Sequence, residues 1–366
     1  MKSEELINLL RLQKIPNIGD VNAKKLLERC GSATAIFEEK ITSLNKIDGI
    51  GTVKLSQLFN TEFLDAAEKE YDYITTNKIE YSYFKDSHYP KNLKHCIDAP
   101  ILLFQRGRIS IPNKKIISIV GTRNMTSYGQ AFLEEFISEI APLNPIIVSG
   151  FAYGVDIYAH RMAMENNLQT IGCLAHGLNQ IYPKVHQKYV TKVEENGGFF
   201  TEFWSTSNPD RENFLKRNRV IAGLSEATIV VESAEKGGSL VTADIAHSYH
   251  RDVFALPGRN TDKYSKGCNN LIKHQKAHML NSVADLIYML GWKLEEESKP
   301  IQKQLFIDLN ESERTIYNYL QANGKELLDI IAMECKMPIF KVSSTLLNME
   351  LKGVVRPLPG KLFEAI

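Results

Sequence analysis

The sequence lacks the devices that most directly reveal a function. Its five cysteines, Cys30, Cys96, Cys173, Cys268 and Cys335, stand far apart with no CxxC pair. Neither a zinc ribbon nor a disulfide framework is indicated, and reduced thiols are expected. No run reaches the ~18 uncharged apolar residues of a membrane span. The opening MKSEELINLLRLQKIP carries acidic residues and no small-residue cleavage site, so a cytoplasmic protein that neither leaves the cell nor enters a membrane is expected. Charge of one sign is missing too: 44 Lys and Arg stand against 43 Asp and Glu, a net +1. That balance excludes a histone-like binder held by bulk charge. GxxxxGKS and GxxxxGKT are absent, and Gly150 and Gly154 give GxxxG rather than GxGxxG, so neither a nucleotide-driven motor nor an NAD enzyme is supported.

What is present is a chain of 366 residues, long enough at roughly 150 residues per domain for two or three domains. Residues 1–66 show helical spacing broken by two turns, Ile15-Pro16-Asn17-Ile18-Gly19 and Ile47-Asp48-Gly49-Ile50-Gly51, each followed by a helix. Both fit a helix-hairpin-helix (SAM-like) pattern, whose tight turn leaves backbone N–H groups free for a phosphate. A small helical module that only packs on its neighbour fits the same residues. Over 67–292 a Tyr-rich entry leads into alternating apolar strands and helices: IISIV, PIIVSG, QTIGCLA, GGFFTE, ATIVVE and DVFALPG punctuate helical stretches. This alternation predicts an α/β Rossmann-like, doubly wound parallel sheet covered on both faces. Residues 293–308 read as a charged linker, and 309–366 as three helices and a hairpin, a winged helix. Its third helix carries few basic residues, Lys341 and Lys352 among them, which points to packing or protein contact rather than DNA reading.

In such a sheet, ligands bind beyond the carboxyl ends of the strands. Those positions here hold Gly121-Thr122-Arg123, then Ser149 to Asp156 with Gly150 and Gly154, and Ser233 to Thr242 with Gly237, Gly238 and Ser239. Three glycine-bearing turns at helix starts predict anion sites, since free N–H groups and the helix dipole both favour phosphate. Charge clusters beside them: Asp210 to Arg219 carries Arg211, Lys216, Arg217 and Arg219 beside Phe214 and Asn218, and Tyr182-Pro183-Lys184 adds another cation next to a ring. Cations for phosphates and aromatic faces for bases are what sequence-tolerant single-strand binding needs. Asp156 and His160, four apart, are weighed as a metal or acid–base pair, but no third ligand has matching spacing, so no metal is expected.

Taken in order, GTRNMTSYG, SGFAYGVDIYAHRMA, GLNQIYPKVH, GGFFTEF, NFLKRNRVIAGLS, VVESAEKGGSLVTADIAHSYHRDVFALPG and CNNLIK resemble the DNA-processing protein A family, DprA or Smf. The resemblance implies a Rossmann-fold homodimer that binds single-stranded DNA taken up in natural transformation, protects it and loads the RecA recombinase, with no cofactor and no reaction catalysed. Matched positions imply phosphate-facing roles for Arg123, Ser149, Gly150, Gly154, Lys184, Arg217, Asn218, Arg219, Gly238, Ser239 and Thr242. The chain departs from the pattern at Thr201 before Glu202, where Ser is commoner, and at Lys276, where a small residue is usual. Two other readings stand beside it. Lys236-Gly237-Gly238-Ser239-Leu240-Val241-Thr242 partly echoes the PGGxGT turn of Rossmann-like nucleoside-monophosphate hydrolases, without its Pro and following Glu. A purely structural scaffold would leave the turns empty.

Overall fold

A computed structural model of the chain describes residues 3–292, 309–358 and 361–366. The linker expected over 293–308 and the Pro359-Gly360 turn of the terminal hairpin lie outside them. The chain divides into two compact units, the division falling inside 293–308.

The first unit begins with six helices: α1 (Ser3–Lys14), α2 (Asp20–Cys30), α3 (Ala33–Glu38), α4 (Ile41–Leu44), α5 (Thr52–Leu55) and α6 (Thr61–Thr76). Both expected turns are present. Asn17 takes φ 66° before α2 and Gly49 φ 76° before α5, the left-handed conformation that Asn tolerates and Gly adopts freely. Helix α6 runs through the expected boundary at 66.

A nine-stranded sheet follows, built from β1 (Glu80–Tyr83), β2 (Leu102–Gly107), β3 (Ile116–Val120), β4 (Ile146–Ser149), β5 (Thr170–Cys173), β6 (Gly197–Thr201), β7 (Ala227–Val230), β8 (Asp252–Ala255) and β9 (His278–Met279). Its order is β1-β2-β6-β5-β4-β3-β7-β8-β9. Strands β3 to β9 are all parallel, and the Tyr-rich entry adds β1 and β2 antiparallel at the β6 edge. The intervening helices are α7 (Lys91–Lys94), α8 (Ser127–Ile140), α9 (Val155–Glu165), α10 (Val190–Glu195), α11 (Arg211–Leu224), α12 (Gly238–Ser248), α13 (Lys266–Lys273) and α14 (Val283–Leu290).

Alternation along β3 divides the core. Ile117 and Ile119 pack with Leu133 and Phe136 of α8 and Ala159 of α9. Ile116 and Val120 face the other side, where Ile221 of α11 and Ala243 of α12 join one cluster with Leu9, Leu26 and Ile36 of the amino-terminal helices. The two apolar faces of a parallel sheet must both be covered, and the cover on this second face continues without a break into residues 3–58.

In the second unit, α15 (Glu311–Asn323), α16 (Leu328–Glu334) and α17 (Ile339–Leu351) surround Ile316, Leu346 and Met349, with β10 (Glu326–Leu327), β11 (Val355–Leu358) and β12 (Leu362–Ala365) ordered β10-β12-β11. This is a winged helix. Its third helix turns Phe340, Leu347 and Leu351 outward, an apolar face where a DNA reader would carry cations. Among the described residues no helix is long and apolar enough to cross a membrane.

Candidate functional site

The chain passes from β3 to β4 on one side and reaches β7 on the other, so the order reverses at β3. A crevice at the carboxyl ends of the strands follows from that reversal. It is present as a cavity of about 830 Å³ lined by the turns after β3 and β7, the first half of α11 and the start of α12.

Of the three glycine-bearing helix starts, one is open. At α8 the place of an anion is taken by Glu232, whose carboxylate accepts from the Thr126 backbone N–H at 2.8 Å and its hydroxyl at 2.5 Å. A Cβ on Gly129 would come within 2.8 Å of that carboxylate. At α9, the Val155 N–H donates to the Thr122 carbonyl at 3.1 Å, and the first turn carries the buried Asp156. The α12 start, at Gly237, carries no side-chain cap, and a Cβ on Gly238 would meet nothing within 4 Å. Ser239, buried, donates to the Ser233 hydroxyl at 3.0 Å and so fixes the turn.

Arg123, Phe214, Arg217, Asn218, Gly238, Ser239 and Thr242, all expected from the sequence, line this cavity. Phe214 is flanked by the guanidiniums of Arg123 and Arg217, 5.3 and 5.8 Å from its ring centre, and Tyr182 lies 5.9 Å away. Arg217 is only 5% exposed. It donates to the Gly150 carbonyl at 2.6 Å and to the Cys173 carbonyl, beside the buried Asp156. Burial pushes the Asp156 carboxyl up, and Arg217 opposes that shift.

Five expected residues lie elsewhere. Ser149 is fully buried, its hydroxyl donating to the Ile119 carbonyl at 2.6 Å, so it ties β4 to β3 and offers nothing to a phosphate. Gly150 and Gly154 act by shape. A Cβ on Gly150 would stand 2.5 Å from Asp156 Oδ2 and 2.6 Å from Arg217 Nη2, and one on Gly154, at φ 73°, 2.2 Å from the Thr122 carbonyl. Lys184 is exposed just past Tyr182, outside the cavity lining. Arg219 faces away: it pairs with Glu202 and, at 3.0 Å, with Asp20 of α2. Lys216 also joins Glu202, at 2.9 Å. Asp20 accepts from the Ile101 N–H at 2.9 Å, and Lys24 donates to the Ile97 carbonyl at 3.1 Å. The first hairpin is therefore occupied in packing on the sheet domain.

The lining also holds Asn124, Lys263 and Tyr264, which the sequence reading did not single out, and Arg211 and Lys236, which it named without giving them a phosphate-facing role. Lys236 sits inside the quoted glycine turn, where its cation was a readable signal. Lys263 and Tyr264 lie in a loop that only the tertiary fold brings to α12. Of the two departures from the family pattern, only the first keeps the chemistry of the usual residue. Thr201 Oγ1 donates to the His176 carbonyl at 2.8 Å as a serine would, and Lys276 pairs with Asp244 at 2.8 Å on the surface.

Asp156 and His160 do not converge. His160 is fully buried, Nδ1 2.7 Å from the Thr170 hydroxyl, and burial lowers its pKa to about 3. The unfolded chain takes up a proton here near pH 6.5 and the folded chain does not until about 3. Stability is therefore expected to fall with pH across that window at about 1.4 kcal/mol per pH unit. Burial lowers His176 and His186 as well, with the same sign. Urea midpoints compared at about pH 7 and about pH 5.5 should drop in the wild type and drop less in His160→Phe, by one proton's share. Equal drops would show that His160 titrates normally.

The family model described as DNA recombination-mediator protein A matches residues 80–291, and that of the DprA winged helix domain matches 307–361. Protein Smf of Synechocystis sp. is 28% identical over all of both chains. Among solved structures, DNA processing protein A from Streptococcus pneumoniae is similar with TM-score 0.65 at 28% identity, covering 79% of this chain and 98% of that one. DprA from Helicobacter pylori, described for its unique single-stranded DNA binding mode, gives TM-score 0.52 at 30% identity, covering 58% of this chain and 95% of that one.

Proposed function

This chain belongs to the DNA recombination-mediator protein A family, and from that premise we propose that it binds single-stranded DNA in the cavity between β3 and β7. The observation that carries the reading is the juxtaposition, in one crevice, of an uncapped eleven-residue helix start with a ring flanked by two guanidiniums. The α12 start supplies N–H groups and a positive dipole end for a phosphate. Phe214 offers a base a π-face of no sequence preference, and Arg123, Lys236 and Lys263 supply exposed cations. Asn218 and Thr242, nearly buried on the lining, add neutral polar groups.

Binding without catalysis is supported by how the cavity's carboxylates are engaged. Asp210 caps α11 by accepting from the Asn213 N–H at 2.8 Å, and Asp156 is buried beside Arg217. In the cytoplasm, such a protein would protect incoming DNA during natural transformation and hand it to RecA, working as a homodimer through its Rossmann-like domain.

Fluorescence anisotropy with an unstructured oligothymidine at rising salt tests the binding. Affinity should fall with a log–log slope near −0.7 per neutralised phosphate. Arg123 and Lys236 are both exposed on the lining. Removing either, as Arg123→Ala or Lys236→Ala, should make the slope shallower by about 0.7 while the fold stays intact. A slope unchanged in both variants would move the strand away from this cavity.

A further inference from the structure

We propose that Tyr153, together with Tyr182 of the cavity lining, forms an outer stacking station for bases of the same single strand, with Lys184 on the adjoining phosphate. This inference rests on the reading that the cavity holds single-stranded DNA, and it extends the footprint to a residue, Tyr153, that plays no part in that reading.

The loop after β4 is built to present this ring. Phe151 takes φ 58°, which is rare for a bulky residue and persists only where the surroundings dictate it. Here they do. Its side chain is fully buried, edge-on to Phe199 at 5.0 Å and to His186 at 5.5 Å. Three residues later Gly154 takes φ 73° against the Thr122 carbonyl. Between these two fixed points Tyr153 is left 47% exposed, its ring in a T-shaped arrangement with that of His186, centroids 5.1 Å apart. Tyr182, four residues before His186, is 44% exposed and leans on Phe214.

Two ring pairs therefore bracket residues 182–186, Tyr182 on Phe214 of the cavity and His186 on Tyr153, and the exposed Lys184 lies between them in the chain. Half-exposed, immobilised aromatic faces beside a cation match a nucleobase next to its phosphate. The bases of a duplex are already stacked on one another, so the ligand class is an unpaired strand.

The test uses full-length protein and two oligothymidines, of about 6 and about 20 nucleotides, a range spanning common single-strand site sizes. Tyr153→Ala should weaken the longer oligomer roughly 5- to 30-fold, leave the shorter one unchanged and leave the salt slope unchanged. Tyr153→Trp should restore the loss, and an unfolding curve like the wild type's confirms an intact loop. Lys184→Ala should make the slope for the longer oligomer shallower by about 0.7. Wild-type affinity of Tyr153→Ala for the longer oligomer, or an equal loss for both lengths, would overturn the outer station while the cavity reading stands. A wild type that binds neither oligomer would overturn the cavity reading and this inference with it.

Discussion

Replacing Glu202 with Ala should destabilise the protein by about 3–5 kcal/mol, the cost typical of removing one partner of a buried ion pair. The Glu202 side chain is 2% exposed and that of Arg219 8%. Their attraction is won only while both are present, because each has lost its hydration. Without Glu202, Arg219 keeps the Asp20 carboxylate at 3.0 Å, and Lys216 loses the contact it makes at 2.9 Å. Urea unfolding measures the loss, and a companion variant decides its cause. Removing both charges, as in Glu202→Ala with Arg219→Met, should cost less than Glu202→Ala alone, because no buried guanidinium is then left half-paired. A double variant at least as unstable as the single one would mean that packing, not charge, sets the value. The position matters beyond stability. Glu202 follows β6, Arg219 lies on α11 and Asp20 opens α2, so one guanidinium, held by two carboxylates, fixes the helix that carries Phe214 and Arg217 against both the sheet and the first hairpin.

That same pairing marks where reading the sequence stops. The strands, the helix starts and the crevice were legible because continuous apolar runs, glycine turns and helical spacing are local patterns. The destination of each charge was not. Arg217 and Arg219 look alike in RNRVIAGLS, yet residues two apart on a helix point about 160° away from each other. Only one of them can face the crevice, and which one depends on Asp20 and Glu202, the former nearly two hundred residues away in the chain. The α8 start was misjudged for a related reason: its N-cap residue, Thr126, is met by the carboxylate of Glu232, from the turn after β7. The boundary at 66 dissolved because the apolar faces of α1 to α3 have no core of their own size and join the sheet's. The near-zero net charge, which argued against a binder of nucleic acid, is reached with cations gathered at one crevice and carboxylates buried beneath it, a distribution that composition averages away.

Phe214→Ala carries the largest expected effect on DNA binding. The ring has two guanidiniums within 6 Å of its centre and a second aromatic beside it, and a base stacked there contributes ~1–3 kcal/mol, so affinity for oligothymidine should fall roughly 5- to 150-fold. No charge is removed, so the salt slope should be unchanged, which separates this loss from that of Arg123→Ala. The two residues touch, with Arg123 5.3 Å above the ring centre. Their effects should therefore not add: the double variant should lose less than the product of the two fold-changes, because Arg123 without the ring is free to leave the strand. Phe214 is half-buried and belongs to neither large core cluster, so thermal unfolding of Phe214→Ala should stay close to that of the wild type. Strictly multiplicative losses would place Arg123 and Phe214 on separate parts of the strand. Wild-type affinity in Phe214→Ala would remove the base from the ring, leaving the α12 start to hold the backbone alone.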